Sequence, residues 1–467
     1  MARAAEVQWL LCMDTRSDQM RRNLEKVDGY ETYGVAGFFG VPLRLATLDG
    51  VPIRDLAPPL AQPLFELRAD PFAVGVDDGA WSLSDPVKAV KESGAAPYLG
   101  AEVGGLLAGF DALRRTLGGL RGRCEDATHN AFVSVEQQVM ASLANLSTGE
   151  LNALATSLGG MLTTLGLSEH FAPLVVLIGH RAVSTNNAFG ASLQCGACGG
   201  SRGTINAIVA ATMLNAPSIR ARLGKQGIDL PSSTRFLAGE HVTTTDTIEL
   251  VGTSRRAHLE YPQAVTLVET LARLSTEVRS RSRLRRSTDW SEVRPEMGLI
   301  HNAALIIGDR SLTSHADLAG RVFLHSYRSD VDDDGRLLAE VLLGPMVVAH
   351  WINMAYLFSS LEPRTLGAGD KALHNVVGRF GVFEGNGWDL RMGLPVQSVV
   401  DEEGKRHEPL RLLVVVEADQ RVIDRVLAQH QQLGNLVDGG WVRLVGRSGT
   451  DDWVERQMSG GWRRVQS

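Results

Sequence analysis

The sequence has few cysteines and no excess of positive charge. Four cysteines in 467 residues do not make a disulfide framework, which favours a reducing compartment and a metal-binding or catalytic use of the thiols. The formal net charge of −6 gives no reason to expect a nucleic-acid partner. The hydrophobic content of 44% is ordinary for a globular chain, and the length predicts two or three domains or one large elaborated domain.

Long apolar runs are also missing, since no window of about 18 residues is both apolar and uncharged. The nearest approach, VLLGPMVVAHWINMAYLF, is interrupted by His350 and Asn353 and predicts a buried helix. The first residues lack the basic region and apolar stretch of a secretory signal. These absences predict a soluble protein that can still dock on a membrane protein.

Two predicted buried strands each lead into residues that can carry chemistry. The first strand, VQWLLC, ends at Cys12 and is followed by Asp14 and Arg16. The second, APLVVLIGH, ends at His180, and a polar loop then leads to Cys195 in the glycine-rich start of a helix. Strand, polar loop and glycine-rich helix start are typical of an α/β fold with ligands beyond the carboxyl ends of its strands.

Other patterns predict local structure. Ser17 is expected to cap a helix after the first strand, and GVAGFFGV to form a second short strand. From about Leu56 to Leu167 the sequence predicts mainly helix, and Ser147 with Glu150 has the spacing of a capping box. Helices mixed with strands such as LRLLVVVE are expected from about Gly252 onward.

Cys12, Asp14, His180 and Cys195 together suit zinc, which takes thiolate, imidazole and carboxylate ligands in a tetrahedral arrangement. Cys12 and Asp14 are two residues apart at a strand end, so their side chains are expected to point to the same side. Any one of these residues alone could simply be packed in a core. Three of the four directly follow an apolar strand end or lie in a glycine-rich turn, and this favours a shared site.

Other readings stay open for the residues around this set. Cys195 and Cys198 form a CxxC, which suits a redox pair as well as a zinc finger, although no second CxxC exists to complete a zinc ribbon. Arg16 can be a functional partner of Asp14 or one half of a structural salt bridge. His241 can be a proton relay, a partner of a ligand, or a buried structural histidine.

Cys12-Met13-Asp14-Thr15-Arg16 is similar to the C-x-D-x-R motif of β-type carbonic anhydrases, whose H-x-x-C is replaced here by the longer GHRAVSTNNAFGASLQCGACGG. That longer form resembles the DabA family, the large soluble subunit of the DAB-type inorganic carbon transporter. The resemblance continues through HVTTTDTIEL, DWSEVRPEMGL, GRVFLHSY, GPMVVAHWINMAYLFS, GDKALHNVVG, GLPVQSV and HEPLRLLVVV.

The resemblance implies zinc bound by Cys12, Asp14, His180 and Cys195. With Asp14 bound the site is filled and closed. If Asp14 instead turns to Arg16, a coordination position opens at which water can be activated to attack CO2 and give bicarbonate. The implied fold is α/β, with a β-carbonic-anhydrase-like core of mainly parallel sheet (1–55 and 168–251), a mainly helical insertion (56–167) and a C-terminal α/β region packed on the core (252–467).

The family also implies partners. Its members work beside a proton-conducting, multi-span membrane subunit related to antiporter-like complex I subunits, so the expected location is peripheral, on the cytoplasmic face of the inner membrane. Members usually carry a long N-terminal half before the C-x-D-x-R strand, and a separate chain supplying it or a compact variant is expected here. Two alternatives remain: a free-standing carbonic anhydrase, and a non-enzymatic assembly subunit stabilised by zinc.

Overall fold

A computed structural model describes residues 5–70, 125–183, 189–260, 298–377, 381–384, 391, 393–401, 403–449, 452–458 and 460–465. Most strand pairs in its two large sheets are parallel, and helices flank them. The predicted α/β class with a mainly parallel sheet is therefore confirmed. The likeness of the core to a β-type carbonic anhydrase and the domain boundaries stay predictions.

The strands follow one another along the chain as β1 (Val7–Cys12), β2 (Tyr30–Val35), β3 (Leu43–Ala46), β4 (Pro52–Leu56), β5 (Phe65–Arg68), β6 (Leu174–Arg181), β7 (Arg235–Val242), β8 (Thr247–Leu250), β9 (Ala304–Gly308), β10 (Val322–Ser326), β11 (His374–Val377), β12 (Gly381–Glu384), β13 (Leu413–Asp419), β14 (Arg443–Ser448), β15 (Asp452–Arg456) and β16 (Trp462–Arg464). The first large sheet has the order β2-β1-β6-β7-β8 and the second β10-β9-β13-β14-β15-β16. Small sheets are formed by β4-β3-β5 and β11-β12.

The α-helices are α1 (Ser17–Leu24), α2 (Glu125–Leu143), α3 (Thr148–Thr164), α4 (Thr204–Asn215), α5 (Pro217–Lys225), α6 (Ala257–Glu260), α7 (Arg336–Leu343), α8 (Pro345–Leu361), α9 (Gln420–Gln429) and α10 (Gln431–Asp438). We call the described residues in 5–260 the first lobe and those in 298–465 the second lobe. Each lobe is built around one of the two large sheets and has its own apolar core.

Strand β1 lies inside the first sheet, with β2 on one side and β6 on the other, both parallel to it. All six of its residues are buried, including the polar Gln8, as the largely apolar pattern predicts for a strand covered on both faces. The chain then turns into α1, but the predicted cap by Ser17 is wrong. Arg16 already has helical backbone angles and Ser17 is the first helical residue, so no extended residue remains to cap the helix.

Two other local predictions need correction. The second strand is Tyr30–Val35, and most of GVAGFFGV forms a turn, because Phe39 and Gly40 have positive φ angles of 49° and 71°. Apart from Val35, which pairs with Cys12 of β1, its buried apolar residues are buried by packing and not by strand pairing. Helix does not begin near Leu56 either: Phe65–Arg68 is a strand, with buried Phe65 and Leu67 alternating with exposed neighbours.

The remainder of the predicted insertion is helical where the structure describes it. Residues 71–124 lie outside the described residues, and the chain continues through α2 and α3. The predicted capping box is confirmed, because the Ser147 side chain accepts the Glu150 backbone N–H and Glu150 accepts the Ser147 N–H. Apolar side chains of α2 and α3 share one core with β1 and β6, so these helices are part of the first lobe.

The predicted buried helix of the second lobe is present as α7 and α8. The two helices meet at Gly344, and Pro345 begins the second one, where a missing backbone N–H costs little. Within the described ranges, Arg336–Leu361 is the helical stretch long and apolar enough to cross a membrane. In its apolar window 67% of the residues are buried inside the protein.

The two lobes meet where β10 packs beside the carboxyl ends of β1 and β2, and we call this contact the seam. The Leu324 backbone N–H donates to the Met13 carbonyl at 3.1 Å. Gly34 lies so close that a Cβ atom on it would overlap the Leu324 carbonyl. Arg310 of the second lobe forms a bidentate pair with Glu25, with N···O distances of 2.6 and 2.7 Å. The seam therefore joins the lobes directly behind the end of β1.

His407 gives the second lobe an expected sensitivity to acid. The residue is 1% exposed, its ring lies 5.3 Å from the Tyr356 ring in a tilted arrangement, and its Nδ1 accepts the His301 backbone N–H at 2.9 Å. Burial, with a smaller contribution from the charge of His301, lowers the pKa of His407 to about 4. Between that value and its ordinary pKa of about 6.5, the unfolded chain binds more protons than the folded one, so stability falls as the pH drops through this window.

We expect the free energy of unfolding to lose up to about 3 kcal/mol from His407 alone between pH 7 and pH 4. The variant His407→Asn, whose amide oxygen can still accept the His301 N–H, is expected to flatten this slope. Urea unfolding at several pH values measures it. An unchanged slope in the variant would show that His407 is not the group that titrates.

Candidate metal centre

Three predicted ligands come together at the carboxyl edge of the first sheet. Cys12 is the last residue of β1, His180 lies near the end of the adjacent parallel strand β6, and Cys195 lies in the loop that follows β6. One donor atom from each residue lies within 4.8 Å of the other two. All three side chains are buried, with at most 5% of each residue exposed. The sheet topology thus brings together residues that are far apart in sequence.

The Cys195 loop is tied back to the strand that carries His180. The Gln194 side chain donates to the Ala182 carbonyl at 2.8 Å and accepts the Ala182 N–H at 3.2 Å. Further along, the Gly203 N–H donates to the His180 carbonyl at 2.9 Å. These bonds close both ends of the loop on β6, so Cys195 and His180 are held in fixed positions relative to each other.

Gly37 closes the site on the side of the turn that follows β2. A Cβ atom on this residue would lie 2.5 Å from Cys195 Sγ and 3.0 Å from Cys12 Sγ, so a side chain does not fit. The Gly37 carbonyl accepts a hydrogen bond from Cys198 Sγ at 3.2 Å. Cys198, which is fully buried, therefore supports the turn against the two sulfurs.

Asp14 is turned away from this cluster and is paired with Arg16. Arg16 Nε and Nη2 donate to the two carboxylate oxygens at 2.8 and 2.9 Å, and the Arg16 backbone N–H donates to Oδ1 at 2.9 Å. Burial opposes the ionisation of Asp14, but the charge and hydrogen bonds of Arg16 hold the pKa of this carboxyl well below its usual range. Arg16 Nη1 also donates to Thr243 Oγ1 at 3.3 Å, which fixes the guanidinium from the end of β7.

His180 lies between the cysteines and this ion pair. Its Nε2 is 3.3 Å from Arg16 Nη2 and 3.6 Å from Asp14 Oδ2. Since a guanidinium can only donate hydrogen bonds, the Nε2 lone pair faces Arg16 in this arrangement. His180 Nδ1 is buried and finds no hydrogen-bond partner within the described part of the chain. In the neutral ring the proton is then on Nδ1, where a water or another acceptor would satisfy it, whereas an ion bound by His180 would take the Nε2 lone pair in place of Arg16.

The donor set fits zinc. Two thiols and one imidazole are ligands that zinc prefers, and a catalytic zinc site uses three protein ligands and leaves one position open. The hydrogen bond between Cys12 and Cys195, together with burial, raises the pKa of Cys12 well above its usual value. For Cys195 the hydrogen bond with Cys12 acts in the opposite direction, but Cys198 and burial raise the pKa overall. A cation is therefore needed to hold both thiols in the ionised form.

Two other residues considered in the sequence, Cys198 and His241, lie close to the three donors. Cys198 is hydrogen-bonded to the turn at Gly37. His241 is buried in β7 directly beside His180, and its Nε2 is 3.4 Å from Asp246 Oδ1.

Sequence reasoning missed three supporting residues, Gly37, Gln194 and Thr243. Gly37 closely follows a strand, and Thr243 lies in the polar stretch after β7. Both positions follow the ends of strands in the first sheet, and this is a weak indication in the sequence that they lie near the site.

Thiols and an imidazole that converge at the carboxyl edge of a parallel sheet, beside a buried carboxylate–guanidinium pair, define the class: an α/β protein with a candidate metal centre. Comparison with protein families then gives a particular assignment. Residues 1–442 match the family model described as "Probable inorganic carbon transporter subunit DabA". The chain belongs to the DabA family.

Individual relatives agree with this assignment. The chain is 39% identical to probable inorganic carbon transporter subunit DabA 1 of Rhodopirellula baltica, over 95% of this chain and 53% of that protein. It is 39% identical to the DabA protein of Novosphingobium aromaticivorans, over 94% and 55% respectively. Identity to the Legionella pneumophila protein is 36%, over 94% and 62%. The chain thus spans little more than half the length of the curated relatives that it matches.

Proposed function

We propose that this chain is a zinc-binding subunit of an energy-coupled system for accumulating inorganic carbon, and that it hydrates CO2 to bicarbonate vectorially. One observation carries the proposal: three buried zinc-type donors converge while Asp14 is held by Arg16. Membership of a family named for inorganic carbon transport supplies the substrate.

Cys12, His180 and Cys195 would hold the ion in this proposal. A zinc ion bound there supplies the Lewis acidity that addition of water to CO2 requires. The two thiolates neutralise the charge of the dication, and the protein groups that surround the site exclude bulk water. Gly37 leaves room for both sulfurs, and the loop bonds of Gln194 keep the donors converged.

Asp14 and Arg16 act as a gate in this proposal. Asp14 is two residues beyond Cys12, and its Oδ2 lies 3.6 Å from His180 Nε2, so the carboxylate would be at hand as a further ligand if Arg16 released it. The bidentate bond to Arg16 holds it off that position, and Thr243 holds Arg16 in turn. In the open arrangement of this gate Asp14 stays paired with Arg16, and Cys12, His180 and Cys195 would be the protein groups that hold the ion.

We further propose that the chain works at the cytoplasmic face of the inner membrane, as a peripheral protein bound to a proton-conducting, multi-span membrane subunit. Its relatives are named as transporter subunits, and a subunit requires a partner. Hydration releases a proton, so coupling to a proton-conducting partner gives the reaction a direction. The large, mostly buried helix pair α7 and α8 belongs to the core of the second lobe in this arrangement.

The test combines metal analysis with CO2 hydration, measured on the purified chain and on membranes that contain its partner. We expect about one zinc per chain and hydration that requires the partner. Strong hydration by the chain alone would instead make it a free-standing carbonic anhydrase. Zinc without hydration under either condition would indicate an assembly subunit, and absence of zinc would remove the mechanism.

A further inference from the structure

A cleft with a volume of about 90 Å³ lies between the two lobes, next to the seam. Its walls come from the turn after β2, from α3, from β10 and from α7 and the start of α8. This volume is too small for a drug-sized ligand but has room for a molecule of a few atoms. None of the proposed ligands and gate residues is among the residues that line it.

The cleft lies next to the candidate metal centre, and Gly37 lies between the two. Ala36 and Phe38 line the cleft and also pack in one apolar cluster with the cysteines of the site. Between them lies Gly37, whose backbone touches the sulfurs of Cys12 and Cys195, as the missing space for a Cβ shows. The cleft and the metal centre thus lie on either side of the short segment Ala36–Phe38.

The polar side chains that line the cleft have no hydrogen-bond donor to offer. Ser157 Oγ donates to the Gly40 carbonyl at 2.6 Å, and Thr164 Oγ1 donates to a carbonyl of its own helix at 2.7 Å. His325 Nδ1–H donates to the Ser326 carbonyl at 2.9 Å, and burial lowers the pKa of His325 to about 4, so the ring is neutral at physiological pH. Only its Nε2 lone pair is left for a ligand.

Glu340 adds negative charge at the mouth. Its side chain is 55% exposed and pairs with Arg336 at 2.9 Å. An anion such as bicarbonate would meet this carboxylate first and then a neutral interior without donors, and an unpaired buried anion is costly. A small neutral molecule with an electrophilic carbon meets no such barrier, and the His325 Nε2 lone pair suits that carbon.

We infer that this cleft is the route by which CO2, as the neutral gas, reaches the metal centre, and that bicarbonate does not leave through it. The inference rests on the proposed function and deepens it. Substrate and product then use different faces of the site, which is what vectorial hydration requires.

The first test uses xenon, a neutral apolar probe whose binding does not depend on activity. Crystals of the chain under xenon pressure are expected to show xenon in the cleft. Ser157→Trp is expected to abolish this occupancy, because an indole at that position fills the space. Ser157→Ala, which removes the hydroxyl without adding bulk, and Ala153→Trp, which places an indole at an exposed position of the same helix, are expected to keep it.

The second test measures hydration kinetics of the zinc-loaded chain with its membrane partner. Ser157→Trp is expected to lower kcat/KM for CO2 by about tenfold or more, with unchanged zinc content, and the two control variants are expected to stay within about twofold. An empty cleft under xenon, or normal kcat/KM in Ser157→Trp, overturns the inference. If the wild type shows no hydration at all, the proposed function fails, and the xenon result still decides whether the cleft accepts a neutral gas.

Discussion

Replacing Cys195 by alanine is expected to remove zinc from the protein, whereas replacing Cys198 leaves it bound. Zinc in small all-protein sites is held by about 10–16 kcal/mol, so one ligand of three accounts for about 3–5 kcal/mol. This loss corresponds to an affinity lower by a factor of about a hundred to several thousand. Cys198 only donates a hydrogen bond to the Gly37 carbonyl, and its loss is expected to weaken binding by about tenfold at most.

The measurement is zinc content after dialysis against a chelator, followed by competition with a coloured zinc indicator. Cys198→Ala is the matched control, since both thiols are buried and lie in the same loop. Equal zinc loss in the two variants would contradict the assigned ligands and make Cys198 one of them. Full zinc in both, with loss of thiol exchange in Cys198→Ala, would instead favour the CxxC redox reading.

Removing the charge of Arg16 is expected to destabilise the zinc-free protein by about 3–5 kcal/mol, because it leaves the Asp14 carboxylate buried and unpaired. The two side chains are only 2% and 5% exposed, so water cannot replace the lost partner. Arg16→Met preserves most of the volume and isolates the effect of charge. Urea unfolding in the presence of a chelator gives the free energy directly.

Two controls separate this effect from general damage. The double variant Asp14→Asn with Arg16→Met removes both charges and is expected to recover most of the lost stability. Arg44→Met breaks a pair with Asp55 whose side chains are 40% and 44% exposed, and it is expected to have little effect. If Arg16→Met is as mild as Arg44→Met, the ion pair is not what holds Asp14 in place, and the gate has no basis.

The place of the site can be predicted from the sequence, but the residues that hold the ligands in position cannot. Cys12 and His180 could be placed together because two apolar strands end at them, and neighbouring parallel strands end at one edge. Gln194 could not be foreseen, since its bonds to Ala182 depend on how a long loop folds back. The orientation of Asp14 also depends on Arg16 and Thr243, which approach from different strands.

Apolar patterning failed where burial had another cause. GVAGFFGV was predicted as a strand because its residues are apolar, yet from Ala36 onward they form a turn with buried side chains. The turn is apolar because it lies between the cysteine sulfurs and the cleft. Strand β5 was missed because its period-2 alternation covers only four residues, too few to outweigh the helical patterns that follow.

The seam has a mechanical consequence for the two residues on which the gate depends. The Met13 carbonyl that accepts the Leu324 N–H lies in the backbone between Cys12 and Asp14. A force that pulls the second lobe away from the first is therefore applied to the peptide linking a candidate ligand to the carboxylate that can join it. Rotation of that one peptide plane would change the direction of Asp14, while the pairing of Cys12 with Val35 of β2 holds Cys12 in place. Movement of the second lobe would therefore change the direction of Asp14 and leave Cys12 in place.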